Sequence, residues 1–196
     1  RQGAITHIPA TVDGDFAEFL GLLLGDGHLS PRTVMFFNTD ESLLSRFAEL
    51  GQRLFSLEPK RSINRTILTV RFHSTILTKL MLSLGVPGSG HRKSRTWAVP
   101  EVILKSSDDT IARFLAAYFS CDGSISSNKK ELALSTASQT MAAGLSYLLM
   151  RLGILHSLSS KTVKGWEYFR LTVQGKEEIG RFYTACRPQN GVPHTR

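Results

Sequence analysis

"FLGLLLGDGHLS", residues 19–30, is the stretch that decides the fold of this 196-residue chain. Leucine and phenylalanine fill it as they fill a buried helix, yet Gly21 and Gly25 interrupt it. A glycine inside a helix costs about 1 kcal/mol relative to alanine, and it is tolerated where another backbone must come very close. The stretch then ends in Asp26 and Gly27. The sequence therefore predicts a tightly packed helix that delivers a carboxylate at its end.

The same design returns in "FLAAYFSCDGSIS", residues 114–126. The matched positions are Asp26 with Asp122, Gly25 with Cys121, and Gly21 with Ala116 or Ala117. A second match joins residues 66–75 to residues 167–176, and its offset also carries Lys60 to Lys161. Internal repetition of this length indicates two copies of one supersecondary unit.

Each copy has the predicted element order αββαββα, from hydrophobic periodicity and from the positions of glycine and proline. Helices are predicted over residues 16–25, 40–55, 74–84, 109–121, 139–152 and 176–185. Strands are predicted over residues 33–38, 59–64, 66–73, 131–136, 155–163 and 166–173, and the pattern leaves one strand of each copy, just after Asp-Gly, undefined. We predict an N-terminal half over residues 1–85, a linker over 86–108 and a C-terminal half over 109–196.

The charge of the chain favours a polyanionic partner. Lysine and arginine number 24 against 16 acids, a net charge of +8, which places nucleic acid first among partners. In the predicted strands Thr69, Arg71 and His73 alternate with apolar residues, as do Arg170 and Thr172. Each sheet would therefore have one basic, hydrogen-bonding face, which resembles a β-ribbon that reads a DNA groove. The alternative is a solvated sheet face.

The candidate DNA contacts lie on these strands, on their turns and on the strands beside them. They are Arg32, Asn38, Arg61, Asn64, Arg65, Thr69, Arg71, His73, Lys129, Lys130, Ser135, Lys164, Arg170 and Thr172. Trp166 is either a further DNA contact or a packing residue at the end of a hairpin.

The paired acids predict a metal site. If the two motif helices pack side by side, they end together and bring Asp26 close to Asp122, where two carboxylates repel unless cations lie between them. Oxygen ligands favour Mg²⁺, or Mn²⁺, over zinc. Gly25 and Cys121 could add backbone carbonyls, because carbonyls at a helix end lack partners within the helix. A single Asp-Gly would instead be typical of a turn that ends a helix, and it is the matched repeat that favours function.

Both stretches resemble the dodecapeptide motif of the LAGLIDADG homing endonucleases, as "LGLLLGDG" at 20–27 and "LAAYFSCDG" at 115–123. Residues 133–154 and 168–183 are similar to the second half of an intein-type member, so the resemblance spans about residues 15–184. It implies an α+β monomer of two pseudo-symmetric αββαββα halves, with the motif helices at the central interface and two antiparallel sheets forming a DNA-binding saddle.

The resemblance also implies an activity, the cutting of both strands of a long asymmetric DNA site across the minor groove, with 3′ overhangs. Asp26 and Asp122 carry over as the metal-binding acids, and Lys60 and Lys161 as candidates for the lysine near each active centre. The chain departs from the family at Ser120 and Cys121, which replace the acid and small residue of the eponymous motif. The flanking splicing residues of inteins are missing too, so we expect a free-standing, intron-type or excised nuclease.

Two alternatives share this fold. One is a catalytically inactive DNA-binding regulator, which the loss of one or both acids would mark. The other is an RNA-binding intron maturase. No apolar run approaches the ~18 residues that a membrane span needs, and we expect an intracellular protein.

Overall fold

The computed structural model describes residues 7–64, 67–89, 93–126 and 130–186. The N-terminal half contains α1 (Gly14–Asp26), β1 (Gly27–Ser30), β2 (Thr33–Asn38), α2 (Glu41–Phe55), β3 (Lys60–Asn64), β4 (Ile67–His73) and α3 (Thr75–Ser83). Two short helices follow in the linker, α4 (Lys93–Thr96) and α5 (Glu101–Leu104). The C-terminal half contains α6 (Asp108–Asp122), β5 (Gly123–Ser126), β6 (Glu131–Thr136), α7 (Gln139–Arg151), β7 (Ser157–Val163), β8 (Trp166–Gln174) and α8 (Lys176–Ala185).

The order αββαββα is confirmed in both halves, and the strands that the sequence pattern left undefined are β1 and β5. Each half forms one antiparallel four-stranded sheet, in the order β1-β2-β4-β3 and β5-β6-β8-β7. The predicted α+β class with two pseudo-symmetric halves is therefore confirmed. The motif helices run to Asp26 and Asp122, one residue beyond the predicted ends, so each acid is the last residue of its helix.

Local side chains determine where the helices begin. Asp13 accepts a hydrogen bond from the backbone N–H of Phe16 at 2.9 Å, and Ser107 accepts one from Thr110 at 3.4 Å. Such N-cap bonds satisfy backbone donors that have no partner within the helix, and each contributes roughly 1 kcal/mol. Both motif helices thus begin at a capping residue and end at an acid.

The core explains why α1 is apolar all round between Phe19 and Gly25. One side of α1 packs against its own half, where Phe19 stacks on Phe47 with ring centroids 4.5 Å apart. Its other side packs against α6, and Leu20, Leu22, Leu23 and Leu24 are almost fully buried. A helix that is covered on two sides needs no polar face.

Glycines set the closeness of α1 and α6. A Cβ atom placed on Gly21 would lie 2.6 Å from the carbonyl oxygen of Phe114 and 2.8 Å from the Cβ of Ala117. One placed on Gly25 would lie 2.4 Å from the Cβ of Cys121. The predicted central interface of small residues is confirmed, and Ala117 rather than Ala116 faces Gly21.

An ion cluster crosses the same interface at the beginning of α1. Arg46 of α2 donates to Glu18 at 2.7 Å, and this bond raises the pKa of the guanidinium. Arg113 of α6 reaches across to Asp15 at 3.0 Å and to Glu18 at 2.9 Å. The cluster therefore joins the two halves at the end of the helix pair opposite to the acids.

No helix among the described residues is both long and apolar enough to cross a membrane. Cys121 and Cys186 are free thiols.

Candidate active site and nucleic-acid interface

The chain leaves each motif helix at an acid and enters a strand at the following residue. That residue is glycine for a steric reason, because a Cβ on Gly27 would lie 2.2 Å from the carbonyl oxygen of Leu23. At Gly123 the same atom would lie 2.3 Å from the carbonyl oxygen of Phe119. The first strand of each sheet thus turns back against the last turn of its motif helix, and the acid lies at this corner. In both motifs the glycine is what permits the corner.

Asp26 and Asp122 lie close enough together to affect the same side chains of α6. Burial raises the pKa of the Cys121 thiol, and the negative charges of Asp26 and Asp122 raise it further. Tyr118 is 1% exposed, and its pKa is raised well above 10 by burial, by Asp122 and, more weakly, by Asp26. The pKa values of two α6 side chains, Cys121 and Tyr118, are therefore raised by both carboxylates. The negative charges of Asp26 and Asp122 thus lie near each other at the end of the helix pair.

Different side chains hold the two acids. Asn38, the last residue of β2, donates its amide N–H to the Oδ2 of Asp26 at 2.7 Å. Tyr118 donates its hydroxyl to Asp122, four residues later on the same helix. Asp26 is half-buried and Asp122 is exposed. The two corners match in backbone position and differ in the groups that orient the carboxylates.

This donor set suits a hard divalent cation. Two carboxylates converge where the last carbonyls of two helices lack partners within the helix, and all of these ligands are oxygens. Among the described residues no group of three or more His, Cys, Asp and Glu side chains could hold a metal ion. A cation here would therefore be held by the two acids, with carbonyls, water or substrate completing its coordination.

The lysine candidates do not occupy equivalent positions. Lys60 lies in the cross-strand row of Arg71, Met35 and His28, three strand spacings or about 14 Å from β1. In the C-terminal sheet the corresponding row runs through Ser124, Ala133, Thr172 and Ser157. Ser157 is thus the counterpart of Lys60, and Lys161 lies four residues, or about 14 Å, further along β7.

The sequence offset fails here because the second hairpin is longer. Strands β7 and β8 run over seven and nine residues and are joined by the two-residue turn Lys164–Gly165, in which both φ angles are positive. Strands β3 and β4 run over five and seven residues. The prediction that Lys161 is the counterpart of Lys60 is therefore wrong. Lys161 lies toward the outer end of the C-terminal sheet.

Six of the fourteen predicted DNA contacts lie on the open faces of the two sheets. Cross-strand pairing places Thr69, Arg71 and His73 on the face opposite to the buried Val70 and Phe72. Arg71 donates to the hydroxyl of Ser62 at 2.8 Å, and its Nε is a buried donor without a hydrogen-bond partner. His73 shares a hydrogen bond of 3.1 Å with Thr33.

In the C-terminal sheet, Ser135, Arg170 and Thr172 share the open face. Arg170 forms an ion pair with Glu131, a buried residue of the neighbouring strand. Arg32, Lys130 and Lys164 lie in turns at the edges of the two sheets, and all three are exposed. Arg65 and Lys129 lie outside the described residues, and of Asn64 only the backbone is described.

Two predicted DNA contacts on the strands, Arg61 and Asn38, point away from the open faces. Arg61 alternates with Lys60, so it points to the helix side, where it pairs with Glu41 and donates to Ser45 at 3.1 Å. Asn38 is engaged with Asp26, which is a role in the candidate active site. Successive side chains of a strand point to opposite faces, so the sequence itself predicts that Arg61 and Lys60 lie on different sides of the sheet.

Sequence reasoning missed Tyr118 and the bond that Asn38 makes. Tyr118 precedes Asp122 by four residues, the spacing at which helix side chains meet, so this contact could have been found. Asn38 meets Asp26 only through the pairing of β1 with β2, and no local signal reveals it.

The comparisons with known proteins agree with this geometry. Residues 109–186 match the family model described as a LAGLIDADG-like domain. An A-type ATP synthase subunit of Pyrococcus abyssi is 40% identical over 193 residues, covering 94% of this chain and 19% of that protein. The replication factor C small subunit of Thermococcus kodakarensis is 36% identical over 190 residues, covering 93% and 21%. The chain thus spans about a fifth of the length of these curated relatives.

Solved structures share the fold. The homing endonuclease I-DmoI in complex with DNA and Mn has a TM-score of 0.70 at 17% identity, over 92% of this chain and 100% of that chain. Full-length DUF199/WhiA from Thermatoga maritima has a TM-score of 0.65 at 14% identity, over 95% and 59%. Fold and paired acids define an α+β protein of two pseudo-symmetric halves joined by motif helices. The chain is a LAGLIDADG-fold protein, and the predicted resemblance to the LAGLIDADG homing endonucleases is confirmed.

Proposed function

We propose that this chain is a site-specific DNA endonuclease that cuts both strands of a long asymmetric target by metal-dependent phosphodiester hydrolysis. The observation that carries the proposal is the presence of both motif acids, each at the end of one of two closely packed helices. One chain supplies both acids, so the active form is a monomer. Its substrate is double-stranded DNA, and its site of action is intracellular.

Asp26 and Asp122 would hold Mg²⁺ or Mn²⁺, together with backbone carbonyls of Gly25 and Cys121. When bound, such ions make water nucleophilic and stabilise charge on the phosphate and on the leaving oxygen. The I-DmoI structures contain Mn in one complex and Ca in another, which supports a divalent cation.

The residues of this chain supply position and charge. The glycine contacts of α1 and α6 keep the two acids together, and the minor groove of B-DNA is only about 6 Å wide. Acids held this closely can address both strands at once. Asn38 and Tyr118 donate to the carboxylates and fix their orientation. Lys60 is proposed as the lysine of the N-terminal active centre, and Arg71 and the other basic residues of the open faces as phosphate contacts. Lys161 is proposed as a phosphate contact toward the outer end of the C-terminal sheet.

The relatives support the interpretation of this chain as a mobile element that is inserted into larger host proteins. Nearly the same length of chain matches one subunit of an ATP synthase, the small subunit of a replication factor, and a protein named as a probable translation initiation factor IF-2. These names describe unrelated activities, and the match covers between 14% and 21% of each protein. A segment shared by unrelated hosts carries a function of its own, as an intein-type homing endonuclease does.

The second candidate is a DNA-binding regulator without cleavage. It is favoured by one observation, since the fold is also that of DUF199/WhiA. Both acids and their hydrogen-bond donors are present in this chain, which favours the endonuclease. The I-DmoI complexes contain DNA, so DNA rather than RNA is the proposed partner.

The test is incubation of the protein with Mg²⁺ and a randomised duplex library, followed by sequencing of the ends. We expect a single consensus at cut ends, and no cut ends with EDTA. Specific binding to a recovered site, with intact DNA under all conditions, would instead assign the regulator.

A further inference from the structure

The linker brings an arginine onto the C-terminal sheet. In α4, the Cζ of Arg95 lies 4.0 Å from the centre of the Trp166 ring and 5.7 Å from the Tyr168 ring. Both aromatic residues lie at the beginning of β8 and alternate with Glu167 and Phe169. They therefore share the open face of the sheet with Arg170 and Thr172. A segment that joins the two halves thus also borders the face proposed to bind DNA.

The stacking leaves the hydrogen-bonding capacity of Arg95 available. A guanidinium that stacks on an aromatic ring uses its flat face, while its five N–H donors point outward in the plane. Within the described ranges no carboxylate lies within ion-pair distance of Arg95. In the part of the chain that the structure describes, seven other arginines are paired with acids, namely Arg46, Arg53, Arg61, Arg113, Arg151, Arg170 and Arg181. Arg95 is therefore a cation held in place by aromatic rings rather than by an acid.

The surface beside Arg95 suits a phosphate. A cavity of about 320 Å³ opens on this part of the sheet; its walls are mostly apolar, with Val163 and Phe169 among them, and its polar groups are hydroxyls and cations. These lining groups come from Ser135, Ser159, Ser160, Lys161, Tyr168 and Arg170. Trp166 and Tyr168 remain 47% and 36% exposed, so the aromatic platform is open to a ligand.

We propose that Arg95, held on Trp166 and Tyr168, is a DNA phosphate contact that the linker supplies at the outer end of the C-terminal sheet. Two strand spacings and five residues along β8 separate Trp166 from Gly123, a distance of about 20 Å. At roughly 3.4 Å per base pair, the phosphate lies about six base pairs from the acid of this half. The inference rests on the proposed function, in that the open sheet faces must bind duplex DNA.

The test measures the dissociation constant of the full chain for a fluorescein-labelled random-sequence duplex over a series of KCl concentrations. Each phosphate contact adds about 0.9 to the slope of log K against log salt. Arg95→Ala should therefore reduce the slope by about one and weaken binding roughly five- to tenfold near 0.1 M salt. Arg95→Lys should keep most of the slope, because it keeps the charge. Lys105→Ala is the matched control, since Lys105 is an exposed linker cation paired with Glu101.

The platform is tested separately. Trp166→Leu should weaken binding in the same direction, and it should add little to the loss caused by Arg95→Ala, since both changes remove one contact. Melting temperatures of all variants are measured alongside. If Arg95→Ala fails to fold, the slopes of Arg95→Lys and Trp166→Leu decide, and a wild-type slope and affinity in Trp166→Leu overturn the proposal.

The outcomes separate the two proposals. If the wild-type chain does not bind duplex DNA, the proposed function itself fails. If it binds steeply and Arg95→Ala keeps both slope and affinity, only the linker contact is overturned. A lower melting temperature with an unchanged salt slope would show that Arg95 merely fastens the linker to the sheet, and this also overturns the contact.

Discussion

Asp26 accepts a hydrogen bond from Asn38 of the sheet, whereas Asp122 accepts one from Tyr118 of its own helix. The position equivalent to Asn38 is Thr136, whose hydroxyl accepts a hydrogen bond from the backbone N–H of Ser138 at 3.1 Å, as the Oδ1 of Asn38 accepts one from Asp40 at 2.8 Å. The orientation of the first carboxylate thus depends on how β1 and β2 pair, and that of the second depends on one turn of helix. The repeated backbone fixes where the acids lie, while unrepeated side chains fix how they point.

The open faces differ in the same way. Arg71 of the N-terminal sheet donates to a serine, and Arg170 of the C-terminal sheet is paired with Glu131. An arginine that is already paired with a buried carboxylate contributes less attraction to a phosphate. If the chain binds DNA as proposed, the N-terminal sheet would do so through its own strands, and the C-terminal sheet would gain a cation from the linker.

The largest effect is expected at the acids. Asp26→Asn and Asp122→Asn should each lower double-strand cleavage at least roughly a hundredfold, the effect of losing one group that stabilises transition-state charge. Each keeps the size of the side chain and should preserve DNA binding. Supercoiled plasmid carrying the recovered site separates nicked from linear product. Full linearisation by either variant would show that the substituted acid is not part of the active site.

The unequal support of the acids predicts the next effect. Asn38→Ala removes a hydrogen bond to a carboxylate, a bond worth about 1.5–3 kcal/mol. Cleavage of one strand should fall roughly tenfold or more, so nicked plasmid should accumulate. Thr136→Ala is the matched control at the equivalent position and should cut like the wild type. Equal losses of cleavage in the two variants would mean that Asn38 and Thr136 contribute equally to the two active-site acids.

The interface shared by both halves predicts a loss of stability. Gly21→Ala places a methyl group 2.6 Å from a backbone oxygen of α6, and overpacking of this kind costs about 1–3 kcal/mol. Gly180→Ala, in α8, meets no atom within 4 Å and should stabilise by about 0.4–1 kcal/mol. Urea denaturation gives both values. A neutral Gly21→Ala would show that the helix pair can separate without cost.

The smallest effect is expected from the pairing of Arg170. Glu131→Gln should release the guanidinium toward phosphate, raise the salt slope by about 0.9 and tighten binding to a random duplex a few-fold. Glu167→Gln, on the helix side of β8, removes the same charge without touching Arg170 and serves as the control. If both variants tighten binding equally, only net charge matters and the contrast between the sheets is lost.

The sequence predicted what its repeats and periods encode. Two copies of a helix ending in Asp-Gly implied the helix pair, the paired acids and the order of elements. The strands β1 and β5 were not predicted, because four residues are too few to show the alternation of apolar and polar side chains that marks a strand. Lys161 was matched to Lys60 because the repeat offset ignores the longer second hairpin. The contacts of Asn38 and Arg95 depend on pairing between distant segments, which no local pattern contains.

The ion cluster at the beginning of α1 favours the pairing of unlike halves. It contains the carboxylates of Asp15, Glu18 and Glu49 and the guanidiniums of Arg46, Arg53 and Arg113. Only Arg113 comes from the C-terminal half, and the equivalent position of α1 is Ala17. Two N-terminal halves brought together would lack this arginine and face each other with surplus negative charge. If the chain were cut within the linker, the charges of this cluster would therefore favour reassociation of the two different fragments over pairing of two N-terminal halves.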